Sequence, residues 1–391
     1  MRHGGVSFEP VVKARFVDRP NRFLVRCLVD QHKTVQAFLP NPGRLWELLL
    51  PDATLHLKRR HASDEPQLHP RKTEWTVLAA EREGVPILLD TQATNAVARY
   101  LLEGKRIPSL ERARIVRAEV PVGRSRFDFL LQENGHTLYA EVKSCTLFGN
   151  GVAMFPDAVT ERGRRHILDL AALSRPRAKG VVLFIVHHPN VRWFMPDYHT
   201  DLDFSRALLA VKDQVRILPV SVSWHAGLML DEAVRTFDIP WAFLEQEVQD
   251  RGSYLLLLRL RREKTIQVGS LGRVSFPVGY YLYVGSAMQG LTARIAWHRR
   301  REKAPRWHID YLRRQSDEFL AIPIRSSLRQ ECDVACAFAG ILEAGPSGFG
   351  SSDCRCPTHL FRSSQDPLRL SSFHTVLQRF RMRPPLDLPG T

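Results

Sequence analysis

Three charged side chains in "SRFDFLLQENGHTLYAEVKS", residues 125–144, have the types and spacing of a hydrolytic site. Asp128 interrupts one run of strand formers, and Glu141 and Lys143 close the next. Asn134-Gly135 between the runs is a hairpin turn signal. Side chains alternate along a strand, so Glu141 and Lys143 share a face and Val142 takes the other. If the two runs pair, Asp128 can lie near Glu141 or its neighbours. Two carboxylates beside a lysine can hold a divalent cation through oxygen, and Mg²⁺ in such sites keeps several waters. The cation lowers the pKa of a bound water and offsets charge at a phosphate, while the lysine orients that water or stabilises the transition state. An isolated triplet of this kind is more simply a cross-strand salt bridge on a solvated face. The flanks Phe127, Phe129, Tyr139 and Val142 instead put these strands in the interior, where charge at a strand end marks a site.

A second group lies further along. Tyr254 in "GSY" and Tyr283 in "YVG" sit in strand-like runs. Arg294 and His298 are four apart in "LTARIAWHRRREK" and share a helix face. Glu331 opens the helical stretch "ECDVACAF". An arginine for a phosphate, a tyrosine or histidine for proton transfer and a carboxylate for a metal suffice for phosphodiester cleavage. Taken singly, the tyrosines are ordinary strand residues and the arginine run at 299–301 is a solvated helix face. Four of the six cysteines also cluster here. Cys354-x-Cys356-x2-His359, with Cys332 or Cys336 as fourth ligand, has zinc-ligand chemistry. The spacing matches no standard knuckle, and buried reduced thiols are the favoured reading.

The elements that must position these residues fall into three blocks. Up to about residue 84, short alternating runs with turn residues between them point to a small β-barrel or curled antiparallel sheet. The segment "HASDEPQLHPRK" at 61–72 reads as an exposed loop. From "GVPILLDTQATNAVARYLLEGKRI" onward, strands and helices alternate, and "GVVLFIV" at 180–186 is a buried strand. Helices on a mixed central sheet are the simplest account. Residues 239–251 read as a linker. Strand formers return from residue 252 with helical patterns after them, and a basic tail follows residue 362.

The chain has 391 residues, 44% hydrophobic and 25% charged, which is ordinary globular composition and room for several domains. No apolar run is long enough to span a bilayer and no secretion signal opens the chain, so a cytoplasmic protein is expected. The net charge of +15 points to a polyanionic partner, nucleic acid before membrane. Arginine far exceeds lysine, as a genome-wide compositional bias would also produce.

Residues 8–225 resemble the sugar fermentation stimulation protein A (SfsA) family. The blocks are "RPNRFLVR" at 19–26, "LPNPGRLWELL" at 39–49, "RKTEW" at 71–75, "LDTQATNAV" at 89–97, "GRSRFDFLL" at 123–131, "AEVKSCTL" at 140–147 and "FPDAVTERGRRHILDL" at 155–170. The resemblance implies an OB-like barrel, then an α/β PD-(D/E)xK nuclease-like domain, with DNA binding and a regulatory role in sugar catabolism. By that match Asp128, Glu141 and Lys143 form the D…E-x-K motif, and Glu119 is an acidic residue ahead of it that assists the metal. Arg165 stands where the family usually has lysine; it keeps the charge but cannot shuttle a proton. Around this site Arg124, Arg126, Arg162, Arg164 and Arg165 are candidate phosphate contacts. Arg19, Arg22 and Arg44 with Phe23 are candidates for a strand-tracking surface, or equally for solvated loops around a core aromatic.

Residues 252–362 resemble GIY-YIG nuclease domains, most closely the branch carrying "WHIDYL" at 307–312 and "GFGSSDCRCPTHLF" at 348–361. By that match Tyr254, Tyr283, Arg294, His298 and Glu331 occupy the catalytic positions, with Glu331 the metal ligand. The gap from "GSY" to "YVG" has room for an extra hairpin at 264–278, and the usual late asparagine has no identified counterpart. The chain therefore reads as multidomain: an OB-like β-barrel over 1–84, an α/β PD-(D/E)xK nuclease-like domain over 85–238, a linker over 239–251, an α+β GIY-YIG-like domain over 252–362 and a tail over 363–391. The expected function is that of a DNA-binding protein of the sugar fermentation stimulation type. It carries a Mg²⁺- or Mn²⁺-dependent endonuclease site, fused to the second nuclease-like domain, with Zn²⁺ as a further candidate cofactor. The alternatives are a non-catalytic DNA-binding regulator of sugar catabolism and an RNA-processing factor.

Overall fold

The structure, a computed structural model, describes residues 6–8, 10–30, 32–60, 73–225 and 227–385. The loop expected at 61–72, the start of the "RKTEW" block and the end of the tail lie outside the described residues. The chain divides into two compact units. One runs to Asp197 and includes Asp203–Trp241; the other takes Tyr198–Leu202 and continues from Ala242.

The first unit opens with β1 (Val12–Asn21), β2 (Leu24–Val29), β3 (Lys33–Phe38), β4 (Thr54–Arg59) and β5 (Trp75–Arg82). Their sheet order is β3-β2-β1-β4-β5, and a parallel β3–β5 pairing closes it into a five-stranded barrel. Alternation fills the interior: Val25, Cys27 and Val29 of β2 point inward and are buried. β6 (Val85–Leu88) pairs with β5, so the barrel sheet continues past the boundary expected at 84. Val85-Pro86-Ile87-Leu88 completes a hairpin on Glu83-Gly84, both at positive φ.

The second sheet follows α1 (Thr91–Glu103), whose N-cap Asp90 accepts the amides of Gln92 and Ala93. It begins with β7 (Arg114–Val122), β8 (Ser125–Glu133) and β9 (His136–Cys145). β10 (Leu147–Gly149) and β11 (Val152–Phe155) form a hairpin. Then come α2 (Glu161–Leu173), β12 (Ala178–Val186), β13 (Trp193–Pro196), α3 (Leu202–Ala210) and β14 (Val215–Ser221). Two-residue strands β15 (Trp224–His225), β16 (Met229–Leu230) and β17 (Arg235–Thr236) end the unit. The order is β17-β14-β12-β9-β8-β7, with β9, β12 and β14 parallel and the edges antiparallel. α1 packs on one face, where Val97 and Leu101 meet Leu138 and Val142. α2 packs on the other, where Ile167 and Leu170 meet Phe127 and Phe184. Covered on both faces, β12 is a continuous apolar run.

The stretch expected as a linker contains α4 (Trp241–Glu247), and within the second unit the buried Glu247 carboxylate accepts the Ser327 amide and hydroxyl. The sheet comprises β18 (Gly252–Leu260), β21 (Gly279–Ala287), β22 (Glu318–Arg325), β23 (Glu343–Ala344) and β24 (Leu360–Ser363), in the order β22-β18-β21-β24-β23. β19 (Lys264–Gln267) and β20 (Arg273–Phe276) make the hairpin expected at 264–278. α5 (Leu291–Arg299), α6 (His308–Gln315) and α7 (Glu331–Ala339) supply the helices. The tail carries α8 (Ser371–Arg381), which buries Phe373 and Leu377 and packs on α7 and β22. This part of the tail is therefore an element of the domain. Among the described residues, no helix is long and apolar enough to cross a membrane.

Candidate functional site

The β8–β9 ladder runs from Glu133↔His136 to Phe129↔Ala140 and stops there. Beyond it, the Asp128 carboxylate takes over: Oδ2 accepts the Val142 amide at 2.7 Å and Oδ1 accepts the Asn95 side-chain amide of α1 at 2.8 Å. Glu141 and Lys143 lie on one face of β9 and Val142 in the core on the other, as the alternation predicts. Lys143 Nζ is 2.5 Å from Glu141 Oε1, and His166 Nδ1 of α2 is 2.6 Å from the same oxygen. α2 is placed for this by its N-cap, Thr160, which accepts the Gly163 amide, and by a Ser125–Asp169 hydrogen bond to β8.

Asp128, Glu141 and Lys143 line one cavity of about 540 Å³, together with Arg22, Asn41, Asn95, Asp157 and Arg162. The barrel supplies its roof. Asn41 donates to the Leu89 carbonyl, and the Leu45 amide and the Arg44 guanidinium both bind Asp157.

The electrostatics separate the two carboxylates. Burial, and then the neighbouring charge of Glu141, raise the Asp128 carboxyl above its ordinary value. Burial opposes the charge of Glu141 too, but the His166 hydrogen bond and Lys143 outweigh it and hold that carboxyl low. Glu141 Oε2 is buried with no hydrogen-bond partner among the described residues. An orphaned carboxylate oxygen beside a second, destabilised carboxylate is a donor set that fits a hard divalent cation.

Other expected residues are placed differently. Glu119 stands across from Asp128 on β7 but at positive φ, with its exposed carboxylate on Arg126 at 2.9 Å. It does not line the cavity, so neither Glu119 nor Arg126 joins the site as expected. Arg19 binds the carbonyls of Arg22, Asn41, Gly43 and Arg44, and Arg44 pairs with Asp157 and Asp197. Both are clamps of the barrel roof and not a strand-tracking surface. Arg164 pairs with Asp203, while Arg124 and Arg165 are exposed away from the cavity lining. Arg22 and Arg162 remain as its guanidinium groups, with Phe23 47% exposed beside Arg22. Sequence reasoning missed Asn95 and His166; the i, i+4 spacing of Arg162 and His166 on one helix was the available signal.

In the second unit the five expected residues converge. Tyr254 hydroxyl is 2.9 Å from His298 Nε2, and His298 Nδ1 is 2.9 Å from Asp310 Oδ1. The Tyr254 and Tyr283 rings are 6.4 Å apart. Gly285 is required here, because a Cβ on it would stand 2.5 Å from the Tyr254 ring. Arg294 stacks on Trp307 and reaches the Ser286 carbonyl, and the Ser286 hydroxyl donates to Glu331. Burial raises both tyrosines and lowers His298. The neutral imidazole thus donates Nδ1–H to Asp310 and accepts the Tyr254 hydroxyl at Nε2. Asp310, in the "WHIDYL" block, had no role in the sequence reading.

A closed five-stranded barrel roofing a carboxylate-lined cavity on a mixed α/β sheet defines the class of the first unit. Residues 17–89 match the SfsA N-terminal OB domain, residues 92–227 the Sugar fermentation stimulation protein RE domain, and residues 253–382 the Domain of unknown function DUF123. The last range shows that the C-terminal domain extends beyond 362, through α8. A sugar fermentation stimulation protein homolog of Shouchella clausii is 38% identical over 209 residues, 52% of this chain and 87% of that protein. The homolog of Methanothermobacter thermautotrophicus is 34% identical over 216 residues, 55% of this chain and 87% of that protein. The solved structure of Pyrococcus furiosus SfsA in complex with Ca²⁺ is 26% identical with a TM-score of 0.54, covering 61% of this chain and 99% of that one. The chain belongs to the sugar fermentation stimulation protein (SfsA) family.

Proposed function

We propose that the cavity around Asp128, Glu141 and Lys143 is a divalent-metal phosphodiesterase site acting on nucleic acid. The observation that carries this reading is the unpartnered, buried Glu141 Oε2 beside Asp128, in a cavity that also holds Lys143, Arg22 and Arg162. Asp128 and Glu141 would hold Mg²⁺ or Mn²⁺, and the ion would supply Lewis-acid activation of water and charge neutralisation at the phosphate. That the Pyrococcus furiosus relative was solved with Ca²⁺ supports oxygen ligation of a cation in this family. Lys143 shares Glu141 Oε1 with His166, so its ammonium is held at the cavity wall, where it stabilises negative charge on a phosphoryl oxygen. His166 fixes the Glu141 rotamer from behind. Arg22 and Arg162 receive flanking phosphates, and Phe23 offers a face for a base. None of these contacts reads sequence, so binding without strong sequence preference follows.

Single-stranded, duplex and structured DNA and RNA, each with and without Mg²⁺ and Mn²⁺, test the reading. Metal-dependent cleavage of at least one polymer is expected, and no cleavage across the whole panel would leave a binding protein instead. Removing Arg22 and Arg162 together should lower affinity at every sequence and reduce the slope of log K against log salt by about 1.4–1.8, at about 0.7–0.9 per lost phosphate contact. A titration of binding against salt measures it.

Asp128→Asn has an opposite pair of effects. A carboxyl whose folded pKa is raised binds its proton more tightly when folded. Its contribution to stability therefore falls as pH rises from the ordinary aspartate value through the raised one, and the cost is fully present at neutral pH. Asparagine keeps an acceptor for Val142 and removes the repulsion with Glu141. The metal-free variant should melt higher at pH 7, by roughly 2–4 °C for each kcal/mol relieved. It should also lose the further rise in Tm that Mn²⁺ gives the wild type. An unchanged Mn²⁺ response in this variant would take Asp128 out of the metal site.

A DUF123-type domain offers a second reading, favoured by the Tyr254–His298–Asp310 chain, in which His298 accepts the hydroxyl proton. Cleavage that survives changes at Glu141 but not at Tyr254 would assign the activity there.

A further inference from the structure

We propose that Cys332, Cys354, Cys356 and His359 bind a structural zinc ion that pins the loop between β23 and β24 to α7. One ligand atom from each of the four lies within 4.8 Å of every other, and Cys354 Sγ is 3.5 Å from His359 Nε2. Tetrahedral zinc with Zn–S near 2.3 Å needs ligand atoms about 3.8 Å apart, so the group closes on an ion with movements of roughly 1 Å.

His359 shows which nitrogen is offered. Its Nδ1 is 3.2 Å from Glu331 Oε1, so Nδ1–H donates to the carboxylate and the Nε2 lone pair faces the sulfurs. A ligand imidazole oriented by a carboxylate on its far nitrogen is the usual outer-shell support of a zinc histidine. The thiols are also unlike the packing cysteines of the first unit. Cys27 and Cys145 are fully buried in apolar surroundings, whereas Cys332 is exposed and Cys354 and Cys356 are half-buried. Burial as small hydrophobes therefore does not account for the cluster. Cys336, one turn along α7, is outside it. Three thiolates and an imidazole select zinc over Mg²⁺, and four protein ligands leave no open position for water, which makes the ion structural.

The consequence reaches the neighbouring residues. The loop that brings Cys354 and Cys356 to α7 also carries Gly350, at φ 73°, where a Cβ would stand 2.5 Å from the Tyr283 ring. Glu331 holds His359 with one oxygen and the Ser286 hydroxyl of β21 with the other. Zinc on His359 thereby fixes Glu331 in place. The inference stands independently of any activity in the first unit.

Metal analysis of the full chain tests it. About one zinc per chain is expected, and Co²⁺ in its place should give intense tetrahedral ligand-field bands with thiolate charge transfer. Cys354→Ser and Cys356→Ser should each lose most of the metal, with circular dichroism reporting the fold. Cys336→Ser should keep it. Glu331→Gln should keep the ion but weaken affinity about 10–100-fold. Weak octahedral Co²⁺ bands in the wild type, a disulfide among the three thiols in protein purified under reductant, or loss of metal in Cys336→Ser equal to that in Cys356→Ser would each overturn the proposal.

Discussion

Glu141→Gln is expected to reduce metal-dependent cleavage by about 10³-fold or more while leaving the fold intact. Glutamine has the same length and can still accept from Lys143, so the local packing against Phe127 and β12 is retained. What it loses is the full negative charge at the end of β9 and one of the two oxygen ligands. The loss should appear in kcat more than in KM, because Arg22 and Arg162 still bind the flanking phosphates. Single-turnover cleavage with Mn²⁺ in saturating amounts measures it. Residual activity close to wild type would exclude the cavity as the site of chemistry. The pH profile adds a separate check. Glu141 is held low by His166 and Lys143 against the effect of burial, whereas Asp128 is raised, chiefly by burial. In the metal-free protein Asp128 therefore takes up its proton before Glu141 on acidification, and metal binding should weaken as Asp128 is protonated. His166→Ala removes a hydrogen bond that keeps Glu141 charged and should move the onset of metal loss to higher pH.

The part of this site that was legible in the sequence was the part governed by local geometry. Alternation alone separates Glu141 and Lys143 from Val142, and Asn134-Gly135, both at positive φ, closes the hairpin that brings Asp128 across. Asn95 and His166 were not legible, because each reaches the carboxylates from a helix packed on a different face of the sheet. Arginine was over-read for the converse reason. Charge and exposure are correlated on average, but Arg19 is consumed by a ring of carbonyls whose directions depend on how the barrel roof turns. The cysteine cluster was legible as a set of ligand types, with the choice between Cys332 and Cys336 left open. Its ligands come from α7 and from a loop more than twenty residues later, a separation that standard spacings do not encode. In the tail, Phe373, Leu377 and Phe380 do carry a helical period, and the proline content obscured it.

Asp310→Ala is expected to destabilise the second unit by about 3–5 kcal/mol, because it leaves the buried Lys303 ammonium without its counter-charge. Asp310 is fully buried and accepts from His298, from Lys303 at 2.7 Å and from the amides of Arg306 and Trp307. Lys303 is only 5% exposed, so removing the carboxylate strands an ammonium in the interior and frees two amides at the start of α6. Calorimetry should show two transitions for the two compact units, with only the one belonging to the second unit falling, by roughly 8–15 °C. Equal shifts of both transitions would mean that the units unfold together. Burial alone would raise the Asp310 carboxyl, yet His298, Lys303 and the Arg306 amide hold it well below the usual aspartate range. Its contribution is thus fully present above the ordinary aspartate value and lost as pH falls through the depressed one. The wild-type second unit should soften as pH falls below the ordinary aspartate value, and Asp310→Asn, which never carries the charge, should flatten that dependence. Lys303→Met in the Asp310→Ala background should recover part of the loss, since an apolar side chain of similar length needs no partner. No recovery would mean that the cost lies in the α6 amides and His298 and not in the stranded ammonium.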